Sequence, residues 1–313
     1  MGMAPEPGAN RYPQQVRIAT WNVNSLKARQ EAVENWLTRA APDVLLMQET
    51  KLGDADAPVM AFAMAGYELV HHGEGRWNGV ALAARHGLRI RGVVTNFGLG
   101  GVRDSSAGAS TPVGEEDFDP LDEARMVSAV VGGIRFVSVY APNGRTVGSP
   151  FFAGKLAWYE RFRQWLGDAC DPGEDLVIGG DMNIAPTDDD VWDPAAVHGG
   201  THVSVPERAA FRRLLDWGLV DAYRAVHDEP GRYTWWDYRA GMFHKNFGMR
   251  IDHLLVSASV AGRVVDAEID RQARKGPPVP SDHAPLSIDL DEPGVPFDPD
   301  WSGALARIAK RTR

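Results

Sequence analysis

Residues 176–188 read Leu-Val-Ile-Gly-Gly-Asp-Met-Asn-Ile-Ala-Pro-Thr-Asp. Leu176 to Gly179 is a short apolar run of the kind that forms a buried strand. It ends on two glycines, whose missing Cβ atoms let the backbone approach a ligand or a facing strand closely. Asp181 and Asn183 follow, two residues apart, and in extended backbone such residues point to the same side. A carboxylate and an amide aimed at one point suit a water to be activated and a developing oxyanion to be stabilised.

The same arrangement recurs on both sides of this stretch. Val16–Trp21 is a β-rich run ending at Asn22, Asp43–Gln48 ends at Glu49, and Ile134–Tyr140 ends at Ala141-Pro142-Asn143-Gly144. Gly79–Ala84, Met126–Val131, Ile251–Val256, Val264–Ile269 and Ala284–Leu290 read as further strands. Between them lie helical patterns. Ala28–Ala40 carries Ala32, Val33, Trp36 and Leu37 and is stopped by Pro42. Phe151–Leu166 carries Leu156, Tyr159, Phe162 and Trp165, and Glu207–Trp217 is preceded by Pro206. Strands alternating with helices predict an α/β fold. No linker interrupts the series, so one domain over 16–290 is expected, with loose ends at 1–15 and 291–313 and an acidic surface loop at 101–124.

Composition excludes several classes. The chain has 313 residues, 44% apolar and 24% charged, as in ordinary soluble globular proteins. Cys170 is the single cysteine, which removes internal disulfides and Cys-rich metal sites. No apolar run approaches the ~20 residues of a membrane span, and Met1–Gln15 lacks the apolar core of a secretory signal. A cytoplasmic location is expected. The 27 Arg against 6 Lys suggest a GC-rich, bacterial genome.

The formal charge of −9 argues at first against a partner made of phosphates. Its distribution changes that. Residues 101–123 hold seven acids against Arg103, and residues 289–300 hold five acids and no base. The tail 301–313 carries Arg307, Lys310, Arg311 and Arg313. The remainder of the chain is close to neutral, so local fields rather than net charge set the working surface.

Two more stretches carry chemistry. In Ser281-Asp282-His283, the Asp can orient the ring, or the His can contact phosphate while the Asp sets its protonation state. Gln48-Glu49-Thr50-Lys51 places a carboxylate beside a cation. Mg²⁺ keeps several waters and takes one or two carboxylates, which makes Glu49 the candidate ligand.

Seven stretches in fixed order resemble the exonuclease III family of apurinic/apyrimidinic endonucleases. They are Trp21-Asn22-Val23-Asn24, Gln48-Glu49-Thr50-Lys51, Trp77-Asn78-Gly79-Val80, Tyr140-Ala141-Pro142-Asn143-Gly144, Gly180-Asp181-Met182-Asn183-Ile184-Ala185-Pro186, Arg250-Ile251-Asp252 and Ser281-Asp282-His283-Ala284-Pro285. The resemblance spans about residues 16–290. It implies a DNase I-like four-layer α/β sandwich, with two packed mixed β-sheets flanked by helices. It also implies Mg²⁺-dependent cleavage, with Mn²⁺ as a substitute, of double-stranded DNA 5′ to an abasic site. Release of blocked 3′ ends and 3′→5′ exonuclease activity accompany this in the family, and a monomer is expected.

Carried over by position, Glu49 is the principal metal ligand, with Asn22 and Asn24 beside it. Asp181 is the base that positions and deprotonates water. Asn183 and Tyr140 contact the scissile phosphate. His283 binds a phosphate oxygen. Asp282 is placed with the metal ligands and as the support of His283, or Asp252 orients that ring instead. Trp235, Met249 and Ile251 stand at the walls of the pocket that receives a flipped abasic sugar, and Met249 stands where some relatives have Trp. Lys51, Asn143, Arg145, Lys245, Asn246 and Arg250 are expected phosphate contacts. Two alternatives remain. One is a superfamily phosphatase or ribonuclease with the same catalytic residues. The other is a DNA-binding module with weak activity.

Overall fold

The structure, a computed structural model, describes residues 15–98, 119–277 and 279–291. The expected loose ends and most of the acidic 101–124 segment lie outside the described residues. The chain begins with β1 (Gln15–Asn22), α1 (Leu26–Ala40), β2 (Val44–Gln48), α2 (Val59–Met64), β3 (Tyr67–His72), β4 (Val80–Arg85) and β5 (Ile90–Thr95). It continues with β6 (Met126–Val131), β7 (Ile134–Tyr140), α3 (Pro150–Ala169), β8 (Leu176–Asp181), α4 (Pro194–Val197) and α5 (Val205–Asp216). The last part holds β9 (Leu219–Asp221), α6 (Ala222–Val226), α7 (Met242–Lys245), β10 (Asp252–Ser257), α8 (Ala258–Ala261), β11 (Val264–Ile269) and β12 (Leu286–Asp291).

The strands form two six-stranded sheets, ordered β11-β12-β1-β2-β4-β3 and β5-β6-β7-β8-β10-β9. Each sheet has one parallel pair at its centre, β1 with β2 and β7 with β8, and the other pairs are antiparallel. Parallel neighbours need a crossover, and α1 and α3 supply it. This is the mixed two-sheet, DNase I-like sandwich that the resemblance implied.

Side-chain alternation explains the layering. In β2, Val44 and Leu46 point into the core between the sheets, where Leu82, Phe136, Val177 and Leu254 meet them. Leu45 and Met47 point the other way and pack with Val33, Trp36 and Leu37 of α1 and Phe62 of α2. Across the sandwich, Val137, Val139 and Ile178 pack under Trp158 and Phe162 of α3 and Phe211 and Leu214 of α5. Both faces of the central strands are therefore buried, and their sequences are apolar runs rather than alternating ones.

The strands not apparent in the sequence lie at sheet edges. β3, β5 and β9 are outermost in their sheets. Arg91 and Gly92 in β5 are exposed and break its apolar signal, as does Glu68 in β3. The helix expected from Glu207 starts two residues earlier, because Ser204 and Glu207 form a reciprocal capping box and Pro206 fits the first turn.

The glycine pair of β8 serves packing. A Cβ on Gly179 would lie 2.6 Å from Leu46 Cδ1 in the facing sheet, and one on Gly180 would lie 1.9 Å from the Val139 carbonyl oxygen. Gly180→Ala is expected to cost about 3 kcal/mol or more, because a backbone atom of the β7–β8 ladder must move. Chemical denaturation of the variant checks this; an unchanged midpoint would show that the strands have room.

Candidate active site

Both parallel pairs end on the same side of the molecule. Asn22 closes β1, Glu49 follows β2, Tyr140 closes β7 and Asp181 closes β8. Strand ends of this kind are rigid mounts, and the loops that leave them carry side chains to a common point. Glu49 and Asn183 both adopt left-handed backbone, at φ 52° and 50°. That conformation is costly for residues with a Cβ and is held by neighbours. At Glu49 the carbonyl accepts from Ser25 N at 2.7 Å and the next N–H, of Thr50, donates to the Gly79 carbonyl at 3.1 Å; the Thr50 hydroxyl lies 2.8 Å from His71 Nε2, and His71 Nδ1 lies 2.8 Å from Asp54 Oδ1.

Asp181 is the hub. Its Oδ1 accepts from the Asn183 backbone N–H at 2.9 Å, and its Oδ2 accepts from Asn22 Nδ2 at 2.9 Å. Asn22 Nδ2 also donates to Glu49 Oε1 at 2.9 Å. His283 Nε2 stands 3.8 Å from Asp181 Oδ2. Glu49, Asp181 and His283 each present a ligand atom, and these atoms lie within 4.8 Å of one another.

Electrostatics separates their roles. Burial by itself would lower the pKa of His283, but Asp252 and Asp181 outweigh burial and raise it above the ordinary imidazole range. His283 is then a cation at neutral pH, with Nδ1 donating to Asp252 Oδ2 at 2.8 Å. Burial, reinforced by Asp252 and Glu49, raises the Asp181 carboxyl against the pull of His283 and Asn22, which suits a proton acceptor working near neutral pH. Burial opposes the Glu49 charge, yet Lys51 and Asn22 hold that carboxyl below its usual range. Burial, together with Glu49 and Asp181, pushes Tyr140 well above the usual phenol range, so its hydroxyl keeps its proton. The carboxylates of Glu49 and Asp181 fit a hard divalent ion.

Comparison with known proteins agrees with this geometry. Residues 19–283 match the endonuclease/exonuclease/phosphatase family. The chain is 31% identical over 283 residues to exodeoxyribonuclease III of Haemophilus influenzae, covering 87% of this chain and 98% of that one. The chain belongs to the exonuclease III family. Solved structures agree. An AP endonuclease from Archaeoglobus fulgidus superposes with a TM-score of 0.79 at 33% identity, over 88% of this chain and 100% of that one. A 3′-5′ exonuclease from Neisseria meningitidis gives a TM-score of 0.78 at 37% identity, over the same shares.

The positions that exonuclease III resemblance assigned to the pocket come together. Trp235 and Met249 are bridged backbone to backbone and pack with Ile251, Ala185, Val191 and Val203. Trp236, next in sequence, is instead buried among Tyr233, Ala284 and Phe243.

The other assigned residues are placed as follows. Of the two candidates to orient the His283 ring, Asp252 is the one bonded to it. Both Asp282 oxygens are engaged elsewhere, Oδ1 by Asn24 Nδ2 at 2.8 Å and Oδ2 by Trp235 Nε1 at 3.1 Å. Arg250 does not face a phosphate. It is 1% exposed, with Nε on Asp190 and Nη1 on Asp221, both at 2.7 Å. Lys51 lies at the centre, 2.8 Å from Glu49 Oε2. Asn143 Nδ2 donates to Asn183 Oδ1 at 3.1 Å. Arg145 is exposed and stacks its guanidinium 3.6 Å over the Phe151 ring. Lys245 and Asn246 are exposed at the end of α7, where Asn246 Oδ1 accepts from Trp236 Nε1.

One supporting group escaped the sequence reading. Lys155 of α3 is fully buried and paired with Glu207 at 2.5 Å. Its Nζ also donates to the carbonyls of Asn183 at 2.7 Å and Asn143 at 3.2 Å. His202 Nδ1 donates to the same Asn183 carbonyl at 2.6 Å. Burial, then Lys155, lowers the His202 pKa to about 4, so it acts as a neutral donor. Together these groups lock the turn that carries Asp181 and Asn183. A signal was present: Lys155 occupies the buried helical stripe of Phe151, Phe152, Trp158, Tyr159 and Phe162. A lysine on such a stripe needs a buried partner.

Proposed function

We propose that the protein is a divalent-cation-dependent DNA-repair nuclease. It hydrolyses the phosphodiester 5′ to an abasic site, removes blocking groups from 3′ ends and degrades double-stranded DNA 3′→5′. The observation that carries this reading is the juxtaposition of the Asp181–Glu49–His283 cluster with the apolar Trp235–Met249–Ile251 wall, joined by a backbone bridge between Trp235 and His283. A base-free sugar enters such a pocket at little unstacking cost, whereas a whole nucleotide would clash. A related 3′ phosphatase from Neisseria, 37% identical, has been solved bound to product DNA hairpin, which supports DNA as the substrate.

Asp181 accepts the proton of a water and aims it at phosphorus, held on one side by the Asn183 backbone N–H and on the other by Asn22. The charged His283 donates from Nε2 to a non-bridging phosphate oxygen, and Asp252 fixes the ring that does so. The neutral Tyr140 hydroxyl and the second Asn183 amide hydrogen donate to the same group. Glu49, with Asn22 and Asp181, would hold Mg²⁺, which when bound neutralises charge on the phosphate and the leaving 3′-oxygen.

A duplex with one tetrahydrofuran abasic analogue tests the reading. Incision 5′ to the lesion is expected with Mg²⁺, lost in EDTA and restored by Mg²⁺ or Mn²⁺. An intact duplex combined with turnover of inositol phosphates would move the protein to the phosphatase branch. Metal-independent incision would remove Glu49 from its role. Binding should also weaken steeply as salt rises, because phosphate contacts release counterions.

A further inference from the structure

Asp282 follows Ser281 directly and precedes His283, yet its side chain hydrogen-bonds to neither the imidazole nor the Glu49–Asp181 pair. Its Oδ2 accepts from Trp235 Nε1 at 3.1 Å, and its Oδ1 accepts from Asn24 Nδ2 at 2.8 Å. Asn24 is itself fixed, because its Oδ1 accepts from Lys51 Nζ at 2.6 Å, and Lys51 sits 2.8 Å from Glu49 Oε2. The Arg29 guanidinium donates to the Asn24 carbonyl. An unbroken chain of polar contacts therefore runs from Glu49 to the indole of Trp235.

We propose that Asp282 is a positioning residue for lesion selection: it fixes the plane of the Trp235 ring that walls the abasic-sugar pocket. The inference rests on the pocket reading given above and adds to it the residue that sets the wall. Two features make a carboxylate necessary. Two N–H donors, Asn24 and Trp235, converge on residue 282, one on each oxygen, and an ionised carboxylate is acceptor-only. An amide at this position would have to turn its own N–H towards one of them.

The Trp235 backbone is already held, since it donates to the Met249 carbonyl at 2.9 Å and its carbonyl accepts from Met249 N at 3.0 Å. The remaining freedom of Trp235 lies in its side-chain torsions. The ring is half-buried against Met249, Val191 and Ile251, and the Nε1 bond is the one directional contact on it among the hydrogen bonds of the described residues. A hydrogen bond to an ionised group is stronger than one between neutral groups, and it constrains orientation as well as energy. Loss of that bond leaves the indole free to tilt into the space meant for the sugar, or away from it. Either movement weakens binding of the lesion relative to intact DNA, because intact DNA does not use the pocket.

The test is a double-mutant cycle on binding, in EDTA so that no strand is cut. Affinities for a tetrahydrofuran duplex and for the matched undamaged duplex are measured for the native protein, Asp282→Ala, Trp235→Phe and the double variant. The readout is the ratio of the two affinities, which cancels the general change in DNA binding caused by deleting a negative charge. About a tenfold fall in the ratio is expected for each single variant, the scale of one charge-assisted hydrogen bond. The double variant is expected to fall no further, because both changes remove the same bond. Asp282→Asn should fall in the same direction, and it serves if the alanine variant melts early. A native ratio near one would overturn the pocket reading itself. A clear native ratio that survives Asp282→Ala and Asp282→Asn would overturn this inference and leave the pocket standing. So would losses that multiply in the double variant, since they would show two independent effects.

Discussion

Asp181→Asn is expected to lower the single-turnover incision rate on an abasic duplex by about 10⁴-fold, the upper end of what a positioned general base contributes. The change removes the proton acceptor, and it also breaks the geometry that aims it. Both Asp181 oxygens accept hydrogen bonds, from the Asn183 backbone and from Asn22, so an amide must present an N–H to one of those donors. Stability should move the other way. Asp181 is a buried carboxylate facing Asp252 and Glu49, and the fold already disfavours its charge. In EDTA the variant is therefore expected to melt at or above the native temperature. A rate within tenfold of native would remove Asp181 from catalysis. A large fall in melting temperature would mean that the lost rate reports unfolding instead.

Arg250→Met should produce the largest loss of stability. It leaves the largely buried Asp221 without its guanidinium partner and the buried Asp190 with Arg224 alone. Breaking a buried pair in this way costs about 3–5 kcal/mol, or roughly 10 °C in melting temperature for a domain of this size. The two carboxylates also set the pH window. Burial alone would raise both, but Arg250 holds Asp190 and Asp221 below the ordinary carboxylate range, with Arg224 helping at Asp190. A group whose folded pKa is depressed contributes stability above its unfolded pKa and loses that contribution as pH falls. The difference between native and variant should therefore be full at pH 7 and shrink as pH drops below about 4. The slope of DNA affinity against salt should not change. A slope reduced by about one would restore Arg250 as a phosphate contact.

Arg250 shows where sequence reading reached its limit. Its place in Arg250-Ile251-Asp252, between a pocket residue and a catalytic one, suggested a role at the DNA surface. Its partners, Asp190 and Asp221, lie 60 and 29 residues earlier. Nothing local marks them as acceptors for a buried guanidinium. Asp282 is a similar case: adjacency to His283 suggested support of that ring, but the partner is Asp252, across 31 residues. Asp282 sits at a bend before β12, and both of its oxygens are taken by Asn24 and Trp235.

Four of the candidate site residues were legible because each ends or follows an apolar run, and the burial of such a run is a local property of its own residues. Asn22, Glu49, Tyr140 and Asp181 could be placed at strand ends from hydrophobic pattern alone. The edge strands β3, β5 and β9 could not: Glu68 interrupts β3, Arg91 and Gly92 interrupt β5, and β9 is only three residues long. Which polar groups neutralise one another, at Lys155–Glu207, Arg250–Asp190 and Asp282–Trp235, emerged only when the two sheets packed and brought distant segments together. Hydrophobic burial is set residue by residue along the chain. Compensation of a buried charge or donor depends on who stands opposite, and that is settled by the packing of the whole molecule.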